Sequence, residues 1–303
     1  ASDVYKRQGK AFTAGGRRYT VDVHGHSLSV YSGTGSRRTI AHDVIVRKIA
    51  DIMGFAGLPG VAVEDANVFK CCIDSTARRR RYLQQLGSHT TGHGIRPDLS
   101  VPRHPFARSA VGPSQHQLYD VKTIGRTPTY HTPYRVQPAD QRARAVPGEY
   151  LRSAIQCDRT WNGTPPGTAG TFEAYLRSLP PVIGLGFGGY GEWSKEVDSL
   201  IGQLAEIASA VPERLGCCHG PAQAQGQYAQ WARKHLHRES LREVSRCRHA
   251  ALDRLLLRPT ETFAGDPDHC RMMDDSPNDP GVANAWDSSD ARGAYEDRPP
   301  RAA

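Results

Sequence analysis

The chain has 303 residues, 39 Lys+Arg against 31 Asp+Glu for a net charge of +8, and 38% hydrophobic residues, with 30 Gly and 21 Pro. That length permits one large domain or two small ones with a substantial core. No run approaches the roughly 18 apolar residues of a membrane span, so no membrane partner is expected, and the charged opening residues show no secretory signal. The charge is uneven: residues 259–303 carry ten acids and four arginines, a net of −6, which leaves 35 basic against 21 acidic groups in residues 1–258, a net of +14. A body this basic suits a polyanionic partner, nucleic acid first, with arginine-rich codon usage as the alternative source of the charge. The seven cysteines include two adjacent pairs but no C-x-x-C. Neither a zinc ribbon nor a disulfide framework is expected, which points to a nuclear or cytoplasmic, intracellular location.

The opening ASDVYKRQ resembles a translated sequencing adapter and is set aside. Tyr19–Val23 and Ser27–Ser32 alternate around His24 and His26 and predict a hairpin, so 1–38 reads as a poorly ordered start carrying it. Thr39 can cap a helix to about Met53, and Gly54–Gly60 breaks it. Val61–Phe69 then reads as a strand, Arg78–Leu86 as a helix and Arg96–Val101 as a short strand. Three prolines make 102–117 a surface loop. Gln117–Ile124 is the clearest strand of the first half, and a helical pattern runs from Ala139 to about Trp161, interrupted by Pro147. Pro181–Phe187 is an apolar strand, Ser194 can cap a helix to about Val211, and a basic helix spans Ala222–Leu257. The glycines that follow the strand in 184–191 lack the ending of a phosphate loop and read as close packing and a tight turn. Beyond Pro259 the acidic, Pro/Asp/Gly-rich composition predicts disorder; Met273-Asp274-Asp275 there has no strands to present it. The sum is a three-layer α/β core over 39–211, a basic helical extension over 222–258 and a disordered acidic tail over 259–303.

Arg96-Pro97-Asp98 opens one strand, and Asp120-Val121-Lys122 lies in the next, with 21 residues between the two aspartates. Two carboxylates on neighbouring strands can converge on one Mg²⁺, which takes oxygen ligands and keeps several waters. Asp120 and Lys122 are two apart and share a strand face. The Val121 carbonyl can complete the metal shell, and Lys122 can hold the attacking water and counter charge on the phosphate. Asp120–Lys122 is the only acid-x-Lys triplet in the chain. An exposed edge strand is the alternative origin of these strings.

These residues resemble the restriction-like endonuclease module of the PD-(D/E)XK class found at the C-terminal end of some non-LTR retroelement polyproteins, and more closely open reading frames of that kind from protist genomes. The similarity covers about 24–257. It rests on HSLS from His26, RTIAHD from Arg38, Arg96-Pro97-Asp98, YDVKT from Tyr119, VPGEY from Val146, GTPPG from Gly163 and GGYGE from Gly188, in that order and spacing. The resemblance implies a restriction-endonuclease-like core (helix, three strands, helix, strand, helix). It implies Asp98 and Asp120 as metal ligands, Lys122 as the catalytic lysine, and Asp43 as a further carboxylate from the first helix, with Glu64 its competitor. His42 matches the family string and reads first as an anchor of the helix start. Where related elements close a zinc knuckle with His-x₄-Cys, this chain has Tyr31 after His26, so no zinc site is expected. The auxiliary cationic role of the following helix passes at best to Arg142 or Arg144. Nucleic-acid contacts are expected from Arg78, Arg79, Arg80, Arg81, Arg142, Arg144, Arg242 and Arg246, and an upstream reverse transcriptase domain is implied. The function so implied is Mg²⁺-dependent DNA cleavage, with RNA not excluded; the alternative is an inactive nucleic-acid-binding remnant.

Overall fold

A computed structural model describes residues 11–14, 17–20, 35–87, 94–107, 116–124, 138–188, 191–211 and 220–257. The acidic tail, and the greater part of the hairpin expected around His24 and His26, lie outside these residues. A hairpin is present earlier in the chain: β1 (Ala11–Ala14) pairs antiparallel with β2 (Arg17–Thr20), setting Ala11 against Thr20.

The remaining elements build one sheet between two helical layers. In chain order they are α1 (Gly35–Ala56), β3 (Ala62–Val63), a 3₁₀ turn (Lys70–Cys72), α2 (Thr76–Gly87), β4 (Leu99–Val101), β5 (Gln117–Thr123), α3 (Pro138–Cys157), α4 (Thr171–Ser178), β6 (Ile183–Phe187), α5 (Lys195–Ser209) and α6 (Pro221–Leu257). The sheet order is β3-β4-β5-β6; the first three strands are antiparallel and β6 runs parallel to β5. Alternation along β5 divides the core. Tyr119 and Val121 pack with α1, α5 and α6, while Leu118 packs with Val146, Tyr150 and Ala154 of α3 and with Tyr82 and Phe172. Among the described residues no helix is long and apolar enough to cross a membrane.

Glycines on β6 set how closely α3 approaches. A Cβ on Gly184 would lie 2.3 Å from the Ala143 carbonyl oxygen, and one on Gly186 2.4 Å from that of Ala139. The glycine run therefore serves backbone packing. The bend after β6 is closed by Ser194, whose amide donates to Gly186 O (2.9 Å) and whose Oγ accepts from Gly186 N (3.2 Å). Asp140 of α3 then accepts from Lys195 N at 2.8 Å, which satisfies one open donor of α5.

Four expectations change. β3 is two residues long rather than spanning Val61–Phe69, because Glu64 turns the chain with φ 50° and leaves Val63 41% exposed. Phe69 remains buried, but from the turn rather than from a strand. The helix expected to Trp161 ends as α-helix at Cys157 and continues as a π-helical turn, Asp158–Asn162; Pro147 is accommodated inside α3. α4 was not expected. Finally, the helix read as an extension enters the main core: Tyr228, Ala232 and Leu236, spaced four apart, are buried with α1 and α5, and Tyr228 Oη donates to Ile52 O at 2.7 Å.

Candidate active site

The site forms where β4 runs out beside β5. Leu99 pairs with Tyr119, so the same register carries Asp98 to Asp120 and Pro97 to Val121. Proline has no N–H, and the ladder stops there. Side chains take over the backbone groups of Val121. Its N–H donates to Asp98 Oδ2 at 2.6 Å, and its carbonyl accepts from His42 Nε2 at 3.1 Å. His42 Nε2 also lies 3.2 Å from Asp98 Oδ2, and its Nδ1 lies 3.1 Å from Asp43 Oδ1. Helix α1 thus contributes two adjacent residues, and His42 is part of the site rather than an anchor of the helix start. Burial opposes charge on the ring, but Asp98 and then Asp43 outweigh it and push its pKa up to about 9. A protonated imidazole donates from both nitrogens, which these three acceptors require.

Asp120 and Lys122 point to the α3 side of β5. Lys122 Nζ lies 2.6 Å from Asp120 Oδ2 and 3.4 Å from Glu149 Oε2, and Arg142 Nη1 lies 2.9 Å from Glu149 Oε1. Tyr150 Oη donates to the other Asp120 oxygen, Oδ1, at 3.1 Å. Burial and the charge of Asp98 hold the Asp120 carboxyl above the usual range, against the pull of Lys122 and Tyr150. Burial works against the Lys122 charge too, yet Asp120, Glu149 and Asp98 raise its pKa. Burial, then the charges of Asp120 and Asp98, hold the Tyr150 phenol well above its ordinary value. Oδ2 of Asp120 is buried, and its partner is the Lys122 ammonium at 2.6 Å.

That oxygen is the observation on which a metal can be tested. Mg²⁺ accepts one or two carboxylates and fills its remaining positions with water. Asp120 Oδ2, an oxygen of Asp98 and the Val121 carbonyl match this donor chemistry. Among the described residues no group of three or more His, Cys, Asp or Glu side chains is gathered that could hold a metal ion. The Val121 carbonyl and Asp98 Oδ2 are both held by His42, which would have to share them.

Glu64, the competitor of Asp43, pairs with Arg96 at 3.4 Å, and its N–H donates to Asp98 O at 2.9 Å. Asp43 therefore acts on the site through His42, while Glu64 fixes the main chain behind Asp98. Sequence reasoning named Glu149 and Tyr150 only as occupants of a family stretch; their i, i+1 placement on α3 opposite an Asp-x-Lys strand was the available signal.

The arginines divide by what they already hold. Arg78 donates to Trp161 O (3.0 Å), and Arg79 donates twice to Ile73 O (3.2 and 2.7 Å), so both brace the chain. Arg242 and Arg246 pair with Glu239 (3.2 Å) and Glu243 (2.7 Å) one turn back on α6. Arg80, Arg81 and Arg144 are exposed. Arg142 alone of the eight joins the site.

The described chain is thus a three-layer α/β protein with a mixed sheet and an Asp–Lys–Glu–Arg charge network beside a His-bridged aspartate. No protein-family model, no curated protein and no solved structure matches it.

Proposed function

We propose that the chain is a Mg²⁺-dependent DNA endonuclease module of a mobile element, with a restriction-endonuclease-like core of the PD-(D/E)XK kind. The observation that carries this reading is the docking of Asp98, just before β4, on the Val121 N–H at 2.6 Å beside Asp120 of β5, with Lys122 on Asp120 Oδ2 at 2.6 Å. The order α1, β3, β4, β5, α3, β6, α5 supports it, with α2 and α4 as insertions between core elements.

A Mg²⁺ held by Asp98, Asp120 and the Val121 carbonyl would polarise the phosphodiester and acidify a water. The chain's own residues do the rest. Tyr150 fixes Asp120 through Oδ1, so that Oδ2 faces the site. Lys122 keeps its proton, orients the attacking water and offsets charge growing on the phosphate. His42 holds Asp98 at the end of β4 and so keeps the two carboxylates in register. Hydrolysis in this arrangement leaves a 5′-phosphate and a 3′-hydroxyl that could prime an upstream reverse transcriptase domain.

Nicking of supercoiled plasmid by wild type and Asp120→Ala, with and without Mg²⁺, tests the reading. Metal-dependent nicking by wild type alone is expected. DNA retention without such nicking, and without any effect of Lys122→Ala, would leave the inactive remnant.

A further inference from the structure

We propose that Glu149 is a positioning residue that holds Lys122 and Arg142, the latter already expected to contact nucleic acid, until a phosphate of the bound strand takes Arg142 from it. This deepens the phosphodiester reading and rests on it. Arg142 and Glu149 lie seven residues apart on α3, two turns along one face. Between them and β5 runs a file of alternating charge, Asp120–Lys122–Glu149–Arg142, joined at 2.6, 3.4 and 2.9 Å. Side-chain exposure climbs along it from 10% at Asp120, through 25% at Lys122 and Glu149, to 52% at Arg142. The buried end belongs to the acids of the site, and the open end is a guanidinium, the side chain best matched to phosphate.

Glu149 divides its two oxygens between the two cations, Oε2 toward Lys122 and Oε1 toward Arg142. A phosphate that takes Arg142 leaves Glu149 with Lys122 alone. Lys122 then keeps a carboxylate partner even as Asp120 Oδ2 turns to a metal, and its ammonium stays within reach of the scissile phosphate. Arg142 is half in solvent and Glu149 partly so, which screens their attraction, so exchange of the pair for a phosphate is not opposed by a large loss.

The test uses the full chain and a short DNA duplex, first in metal-free buffer over a salt series and then in Mg²⁺ for steady-state nicking. Arg142→Ala should weaken duplex binding about 3–10-fold and lower the slope of log affinity against log salt by about 0.9, the value of one phosphate contact. Arg142→Lys should restore most of the slope. Glu149→Gln should bind duplex several-fold more tightly, an effect absent when Arg142→Ala is added. Its kcat should fall about tenfold with no rise in KM, since a group acting in the transition state is mispositioned. Wild-type affinity in Arg142→Ala overturns the proposal, as does a Glu149→Gln protein equal to wild type in both affinity and kcat. Should wild type bind duplex yet nick no faster than Asp120→Ala, the phosphodiester reading fails alone, and the metal-free affinities decide the phosphate contact. Absence of any duplex binding overturns both.

Discussion

His42 offers the sharpest test of the site's electrostatics, because its effect on stability has a definite sign with pH. Its pKa rises from 6.5 to about 9 in the folded chain through Asp98 and Asp43, against the cost of burial. A group whose pKa is raised by folding stabilises fully below the unfolded value and loses that contribution as pH rises through the folded one. The contribution of His42 is therefore complete below about pH 6.5 and declines through pH 9. At about 1.4 kcal/mol per pKa unit the ceiling is about 3 kcal/mol, and solvent access to a partly exposed ring reduces it to about 1.5 kcal/mol. His42→Gln keeps a donor for Val121 or Asp98 but cannot carry the charge. Urea denaturation of both proteins at pH 6, 7.5, 9 and 10 should give a stability difference of about 1.5 kcal/mol at pH 6 that shrinks to a few tenths at pH 10. Comparing the two proteins cancels the titration of lysines and tyrosines common to both. A difference independent of pH, or one that grows with it, would refute the assignment of a charged imidazole between the two aspartates.

Three further substitutions probe the frame around the site. Asp158 is buried in the π-helical turn and accepts from Phe172 N (2.9 Å), Glu173 N (3.0 Å) and Asn162 Nδ2 (3.2 Å). Asp158→Ala should cost about 2–4 kcal/mol by chemical denaturation, and Asp158→Asn less, because one amide oxygen can still accept. Gly186→Ala would drive a methyl against the Ala139 carbonyl and should lower the thermal midpoint strongly, by about 2–4 kcal/mol in stability, whereas Gly202→Ala, with open space around it, should not. Tyr150→Phe removes the hydrogen bond to Asp120 Oδ1, leaves Asp120 harder to ionise, and should reduce plasmid nicking about tenfold for about 1 kcal/mol of stability.

What the sequence disclosed, and what it hid, follows from the range of the interactions involved. β5, β6, α5 and α6 announce themselves through apolar runs and periodic apolar faces, and each is present close to the expected bounds. β3 was overdrawn because Val61–Phe69 has strand composition, while the chain leaves the sheet at Glu64, where φ is 50° and its amide makes the last bond to the neighbouring segment, at Asp98 O. α4 escaped notice for a similar reason. Its N-terminus carries no side-chain cap from its own Ncap residue, Gly170, and takes its acceptors from Asp158, fourteen residues upstream of Phe172. In the site, the expected spacing does bring Asp98 beside the strand of Asp120 and Lys122, although Asp98 lies just before β4 rather than in it. Their partners were not legible, because the His42–Asp98 and Tyr150–Asp120 contacts span 56 and 30 residues and depend on how α1 and α3 close on opposite faces of the sheet.

The same distinction changes the meaning of the body's +14. A net charge counts side chains, but binding uses only those whose charge is still available to a partner. Arg242 and Arg246 are matched by glutamates on their own helix, whereas Arg78 and Arg79 donate to neutral main-chain carbonyls and keep their charge. At the site the balance tilts the other way: Asp43, Asp98, Asp120 and Glu149 stand against His42, Lys122 and Arg142. Under the endonuclease reading, a local excess of one negative charge favours entry of a divalent cation, while Arg142 at the open end of the file stays the contact for a phosphate. One such cation would reverse the local sign and make the same site receptive to a polyanion. Global charge would then draw nucleic acid to the surface, while cleavage at the acid-rich centre would depend on the metal.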